Sequence, residues 1–175
     1  MRWDGIVDIG IIDSTVTKGS VREIPYLRDS LHLVVPECHP LARRSAVTFT
    51  ETLEHDHVGL HPGSALQEFL VRTAAGAGSE IKMKVRVVTF DALRRFVQAG
   101  VGIGVLPAAA IIPFEASMSL RGVPLKDGWA KRSLSICIRK RGELTAPARW
   151  LLDHLTSHNP GMTSTGVRPA PGKKG

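Results

Sequence analysis

Cysteine and long apolar runs are scarce in this chain, and glycine-rich phosphate cradles are missing from it. Cys38 and Cys137 are the only two cysteines in 175 residues. They form no CxxC pair and no disulfide framework, which fits a reducing cytoplasm. No stretch approaches the ~18 apolar residues of a membrane span. The N-terminal MRWDGIVDIG has no basic region followed by an uncharged apolar core, so no secretory signal pattern is visible. Gly100, Gly102 and Gly104 are spaced G-V-G-I-G, which fails G-x-G-x-x-G and lacks the Gly-Lys-Ser/Thr of a P-loop. They also follow a helical pattern and precede a strand pattern, whereas a nucleotide cradle needs the reverse order, with phosphate on the amides of the helix that comes next. No nucleotide or other cofactor is expected.

The chain does carry enough apolar residues for one ordinary core: 43% of it is hydrophobic, with mean hydropathy near zero. The formal charge is +7, and Arg168, Lys173 and Lys174 supply three of these charges in 161–175, which holds no acid, leaving +4 on 1–160. A balance this mild suits anionic small molecules or acidic surfaces as well as nucleic acid.

Along the chain, strand and helix patterns alternate. DGIVDIGII (4–12) is nearly continuous in apolar residues, as a strand buried on both faces of a parallel sheet would be. VREIPYL (21–27) and SLHLVVP (30–36) follow as two strands, with Pro25 marking an edge or bulge. Thr48 and Glu51 form a capping box for a short helix over 49–54, and HVGLH (57–61) reads as a strand. Ser64 and Gln67 form a second capping box, opening a helix with Leu66, Phe69, Leu70 and Ala74 on its apolar face and Gly76 and Gly78 at its end. IKMKVRVV (81–88) alternates, with Ile81, Met83, Val85 and Val87 inward and Lys82, Lys84 and Arg86 outward.

A helix with Leu93, Phe96 and Val97 on its apolar face runs to Gly100, where a left-handed residue is needed, and emerges as a strand closed by Pro107. A short helix near 108–112 halted by Pro113, a strand near 121–125 and an alternating strand SLSICIR (133–139) come next. A last helix over about 146–157 is expected to bury Ala148, Leu151, Leu152 and Leu155, and 159–175 reads as a disordered tail. The alternation predicts an α/β fold with helices covering a mainly parallel sheet.

Several clusters invite chemistry. His55, Asp56, His57 and His61 are locally dense in metal-ligand types, but alternation places His57 and His61 on one face of a short strand and His55 in a loop, so no metal is expected. Cys38 lies between Glu37 and His39 and Cys137 inside a strand, settings that suit structural rather than reactive thiols. Ser64 is not in a G-x-S-x-G elbow. Arg43, Arg44, Lys82, Lys84, Arg86, Arg94, Arg95, Arg139, Lys140 and Arg141 are spread over separate elements without a DNA-binding motif. They read as solvated faces, Arg94 and Arg95 also suiting a partner interface. No nucleophile–base pair emerges, so no catalytic residue is assigned.

A ligand site is better grounded. In an open α/β sheet, ligands sit beyond the carboxyl ends of strands, where helices begin. Two such turns are legible: His61-Pro62-Gly63-Ser64 and Val88-Thr89-Phe90-Asp91. Each offers helix-start amides and a hydroxyl, Ser64 or Thr89, suited to a carboxylate. Both hydroxyls can equally be caps alone, and the two readings stay open at this level.

Taken in order, Gly5-x-x-Asp8-Ile-Gly-Ile, Pro25, VVPECHPLA (34–42), AGVGIGVLP (99–107), Val123-Pro-Leu, Arg132-Ser-Leu-Ser-Ile and Ala146-Pro-Ala resemble the effector-binding region of LysR-type transcriptional regulators over about 4–158. The resemblance implies a periplasmic-binding-protein-like fold of two α/β lobes. Here the second lobe, 28–143, would be complete, and the first, 1–27 plus 144–158, partial. It lacks the strand and helix that precede the position of Gly5 in such regulators, and their helix-turn-helix, so the chain is expected to be a fragment or a shortened paralogue that exposes Ile6, Ile9, Ile11 and Leu155.

The resemblance also implies a cytoplasmic, non-enzymatic sensor of a small-molecule effector. It would be a homo-oligomer in the full-length protein and would bind no specific DNA itself. The resemblance points to Gly63, Ser64, Thr89 and Phe90 on one side of the effector, with Ile12 and Asp13 facing them. A free-standing solute-binding or transport-type lobe is the alternative, which a signal peptide would favour.

Overall fold

A computed structural model of the chain describes residues 7–13, 21–139 and 144–157. The tail 159–175 and Ile6 lie outside the described residues. The chain divides into two compact units, one of residues 1–28 and 133–175 and one of residues 29–132.

In the first unit, β1 (Ile9–Asp13) runs antiparallel to β7 (Lys131–Arg139), with Ile9 opposite Ile138 and Asp13 opposite Leu134, and β7 neighbours β2 (Val21–Pro36). β1 is thus not a strand buried in a parallel sheet. Ile11 is exposed, and Ile9 and Ile12 are half-buried. Ile136 and Cys137 on β7 are fully buried. α5 (Ala146–Ser157) forms where the spacing predicts it, but it buries nothing completely. Ala148, Leu152 and Leu155 are half-buried, while Leu151 and Trp150 are exposed.

The segments 21–27 and 30–36, expected as two strands, form the single 16-residue β2. In the second unit β2 pairs antiparallel with β5 (Gly104–Pro107) along one edge, Leu31 opposite Pro107. It also pairs antiparallel with β6 (Leu120–Pro124), Leu33 opposite Val123. Among the described residues only β3 (His57–Leu60) and β4 (Met83–Val87) are laddered in parallel, Leu60 opposite Val87. The pairing is therefore mainly antiparallel, a correction to the expected parallel sheet. The apolar run LHLVV nevertheless means what such a run should, burial on both faces. Leu31, Leu33 and Val35 pack with Val47, Phe49, Leu70 and Val105 in one core, while Val34 packs with Val58, Leu93, Val97, Leu106 and Ile111 in the other.

The helices follow local rules. α1 (Phe49–Thr52) has the complete Thr48–Glu51 capping box. α2 (Ala65–Gly76) buries Leu70 and Ala74, and α3 (Phe90–Gln98) buries Leu93 and Val97, although Phe96 is exposed. Gly100 ends α3 at φ +74°, the left-handed geometry the sequence demands. The expected short helix near 108–112 is instead two 3-10 turns, Ala108–Ala110 and Ile112–Phe114, running into α4 (Glu115–Met118). No helix among the described residues is long and apolar enough to cross a membrane.

Candidate functional site

Parallel pairing of β3 and β4 brings the two predicted turns side by side. The His61 amide donates to the Val87 carbonyl at 2.8 Å, so 61–64 and 88–90 leave adjacent carboxyl ends of one sheet. Gly63 makes the first turn possible at φ +93°, a conformation a side chain would strain. The His61 ring donates from Nδ1 to the Pro62 carbonyl at 2.7 Å.

The two helix starts differ. Thr89 Oγ1 accepts from the Ala92 amide at 3.1 Å, a working cap. Ser64 occupies the capping position of α2 but makes no side-chain capping bond. The expected Ser64–Gln67 box does not form, because Gln67 turns into the core and accepts from the Leu60 amide at 2.9 Å. The Ser64 hydroxyl therefore leaves the first-turn amides of α2, which have no intrahelical acceptor, without the side-chain cap expected. Val88 and Phe90 are exposed apolar flanks of Thr89. Asp91 accepts from Arg95 Nε at 2.9 Å and from Arg94 at 3.3 Å, and these bonds, Arg95's first, hold its carboxyl below the usual range. Ile12 and Asp13 lie on β1 in the other unit, opposite Ser135 and Leu134.

Of the remaining clusters, His57 and Cys137 belong to the packed interior, whereas His61 and Cys38 do not. His57 is 3% exposed, with Nδ1 donating to the His55 carbonyl at 3.0 Å and Nε2 3.4 Å from Thr52 Oγ1. His61 is exposed, and the His55 ring meets His39 edge-on. No group of three metal-ligating side chains converges among the described residues. Cys38 is exposed and Cys137 buried, and neither forms a disulfide.

Arg94 does not lie on a solvated face. It is buried, donates to the Ala110 carbonyl at 2.7 Å and lies 3.8 Å over the Phe114 ring. The signal was present, since Leu93, Arg94 and Val97 share one helical face. The Asp29–Arg132 pair, by contrast, had no local signature.

Mixed-sheet α/β units of this kind are the architecture of the periplasmic-binding-protein-like fold. The model of the LysR substrate binding domain matches residues 3–160, and the chain belongs to that family. It is 23% identical over 152 residues to a probable RuBisCO transcriptional regulator of Emiliania huxleyi, covering 83% of this chain and 48% of that one. The chain thus spans about half the length of the curated relative. Among solved structures it resembles the Synechocystis CcmR regulatory domain in complex with 2-PG, with TM-score 0.76 and 18% identity over 90% of this chain and 76% of that one. It also resembles the effector binding domain of QuiR in complex with shikimate, with TM-score 0.70 and 18% identity over 87% and 71%.

Proposed function

We propose that the chain senses a small carboxylate effector as the regulatory, non-enzymatic part of a cytoplasmic LysR-type transcription regulator. Its oligomeric state and contact with DNA would be supplied by the full-length protein. The observation that carries this, beyond family membership, is the pair of adjacent helix starts, one of which lacks its side-chain cap. Backbone amides at a helix start attract negative charge. The Ser64 hydroxyl with the amides after Gly63 would receive the carboxylate, Thr89 would add a second hydroxyl, and exposed Phe90 and Val88 would contact an apolar body. Binding would shift the relative populations of conformations that the regulator transmits.

Titration of the 15N-labelled chain with shikimate and with benzoate tests this. The expected result is saturable shifts of the Gly63, Ser64, Thr89 and Phe90 amides. Saturable binding that leaves all four unmoved places the site elsewhere, and no binding by either acid removes the carboxylate reading.

A further inference from the structure

In the second unit the β3–β4 ladder and the strands around β2 meet along one seam, between β3 and β5. A single bridge joins them, with Val58 N donating to the Ile103 carbonyl at 2.7 Å and Ile103 N to the Asp56 carbonyl at 2.9 Å. In the same parallel register the Val105 amide would next donate to the Val58 carbonyl, and the bond after that would run from the Leu60 amide to the Val105 carbonyl. That bond is replaced: the Leu60 amide goes to Gln67 Oε1 at 2.9 Å.

Three further observations show that the replacement is built in. Gln67 is 5% exposed, on the first turn of α2, where a polar residue gains nothing from burial alone. Its Nε2 has no partner, which is the cost of turning this amide inward. Gly59, on the strand beneath it, has no side chain where a Cβ would stand 2.5 Å from Gln67 Oε1. A small pocket follows, lined by Val58, Gly59, Gln67, Met83 and Val105 among others.

We infer that Gln67 is a positioning residue that holds the β3–β5 seam open and so sets where the 61–64 turn stands. Leu60 is the last residue of β3 and adjoins that turn, so the partner its amide takes decides the direction in which the chain leaves the sheet. The consequence for a bound carboxylate rests on the effector reading above, whereas the placement of the turn does not. Gln67 touches no ligand in this account and acts through Leu60.

The test is made on the full 15N-labelled chain without ligand, comparing wild type with Gln67→Met, which keeps the volume and removes the acceptor. The expected result is a Leu60 amide that stays protected from exchange in the variant, now bonded to Val105, with shifted Gly63 and Ser64 amides and an undiminished melting temperature. A Leu60 amide that exchanges at least tenfold faster while Gly63 and Ser64 keep their wild-type shifts overturns the inference, since Gln67 would then only fill a local acceptor role. If Gln67→Met does not fold, the scalar coupling across the hydrogen bond from the Leu60 nitrogen to the Gln67 side-chain carbonyl decides in wild type. Its presence supports the wedge, and a coupling to the Val105 carbonyl instead overturns it.

Discussion

Asp29 and Arg132 form an ion pair across 103 residues of sequence, and they are the first and last residues of the second compact unit. Their side chains are 8% and 19% exposed, and Asp29 also accepts from the Ser30 amide at 2.8 Å. The pair ties together the points at which the chain enters and leaves that unit. Removing one partner of a buried pair leaves the other charge uncompensated, which is more costly than losing both. Arg132→Met should therefore destabilise the chain by about 2–3 kcal/mol in urea unfolding, with Asp29→Leu added to it restoring part of the loss. A single-variant effect below about 0.5 kcal/mol would mean that water screens the pair.

Ser64 and Thr89 should separate in their effects. Because Ser64 makes no capping bond, Ser64→Ala should leave stability within about 0.5 kcal/mol. Any weakening of shikimate or benzoate binding then reports contact with the ligand. Thr89→Val removes a real cap and should cost about 1 kcal/mol of stability, so its binding effect, about 1 kcal/mol if the hydroxyl is used, must be compared with its melting shift. Unchanged affinity in both variants, for an acid that binds wild type, makes the two residues structural only.

Burial pushes His57 below the ordinary histidine value, outweighing the upward pull of its bond to the His55 carbonyl. Burial lowers His32 and His39 as well. A histidine held neutral in the fold takes up its proton more readily when unfolded, so the stability it contributes is complete above about pH 6.5 and declines as the pH falls below that. Urea midpoints measured from pH 8 to pH 5 should fall. His57→Gln should flatten that slope, and an unchanged slope would remove His57 as its source.

Arg94 is anchored at three places: the Ala110 carbonyl, Asp91 and the Phe114 ring. Arg94→Met keeps the stem but loses a charge-assisted hydrogen bond and a cation–π contact, and should cost about 2–3 kcal/mol. Amide exchange in 108–114 should quicken in the same variant. Equal protection there would show that α3 does not hold this segment.

Gly102 and Gly104 should respond differently to a methyl group. A Cβ on Gly102 would stand 2.6 Å from the Asp56 carbonyl oxygen, which is backbone, whereas one on Gly104 first meets the Leu93 side chain at 2.7 Å and reaches backbone, the Val58 carbonyl oxygen, only at 3.1 Å. Gly102→Ala should lower the unfolding free energy by about 1–3 kcal/mol, and by more than Gly104→Ala. The reverse order in denaturant melts would contradict this account of the close approach.

What the sequence determined is what lies within three or four residues of itself. The Thr48–Glu51 box, the Thr89 cap, the left-handed Gly100, the alternation of 83–87 and the extents of α2, α3 and α5 all form as read. In each, the decisive contact joins a side chain to nearby backbone or follows one period. Each of the two helix starts was also legible, because a strand that ends where a helix begins is a local pattern, whereas their adjacency comes from the pairing of β3 with β4.

What tertiary structure decided concerns partners distant in the chain. Two apparent strands fused into β2 because both halves found neighbours along their length. The sheet became mainly antiparallel because β5 and β6 flank β2, and Arg94 was buried because Ala110 and Phe114 met it. The Ser64–Gln67 box shows the competition directly. Its local pattern is as good as that of Thr48–Glu51, yet Gln67 serves the Leu60 amide instead. Serving a buried amide counts for more than capping an exposed helix end that water can satisfy, so the bond into the core prevails over the cap.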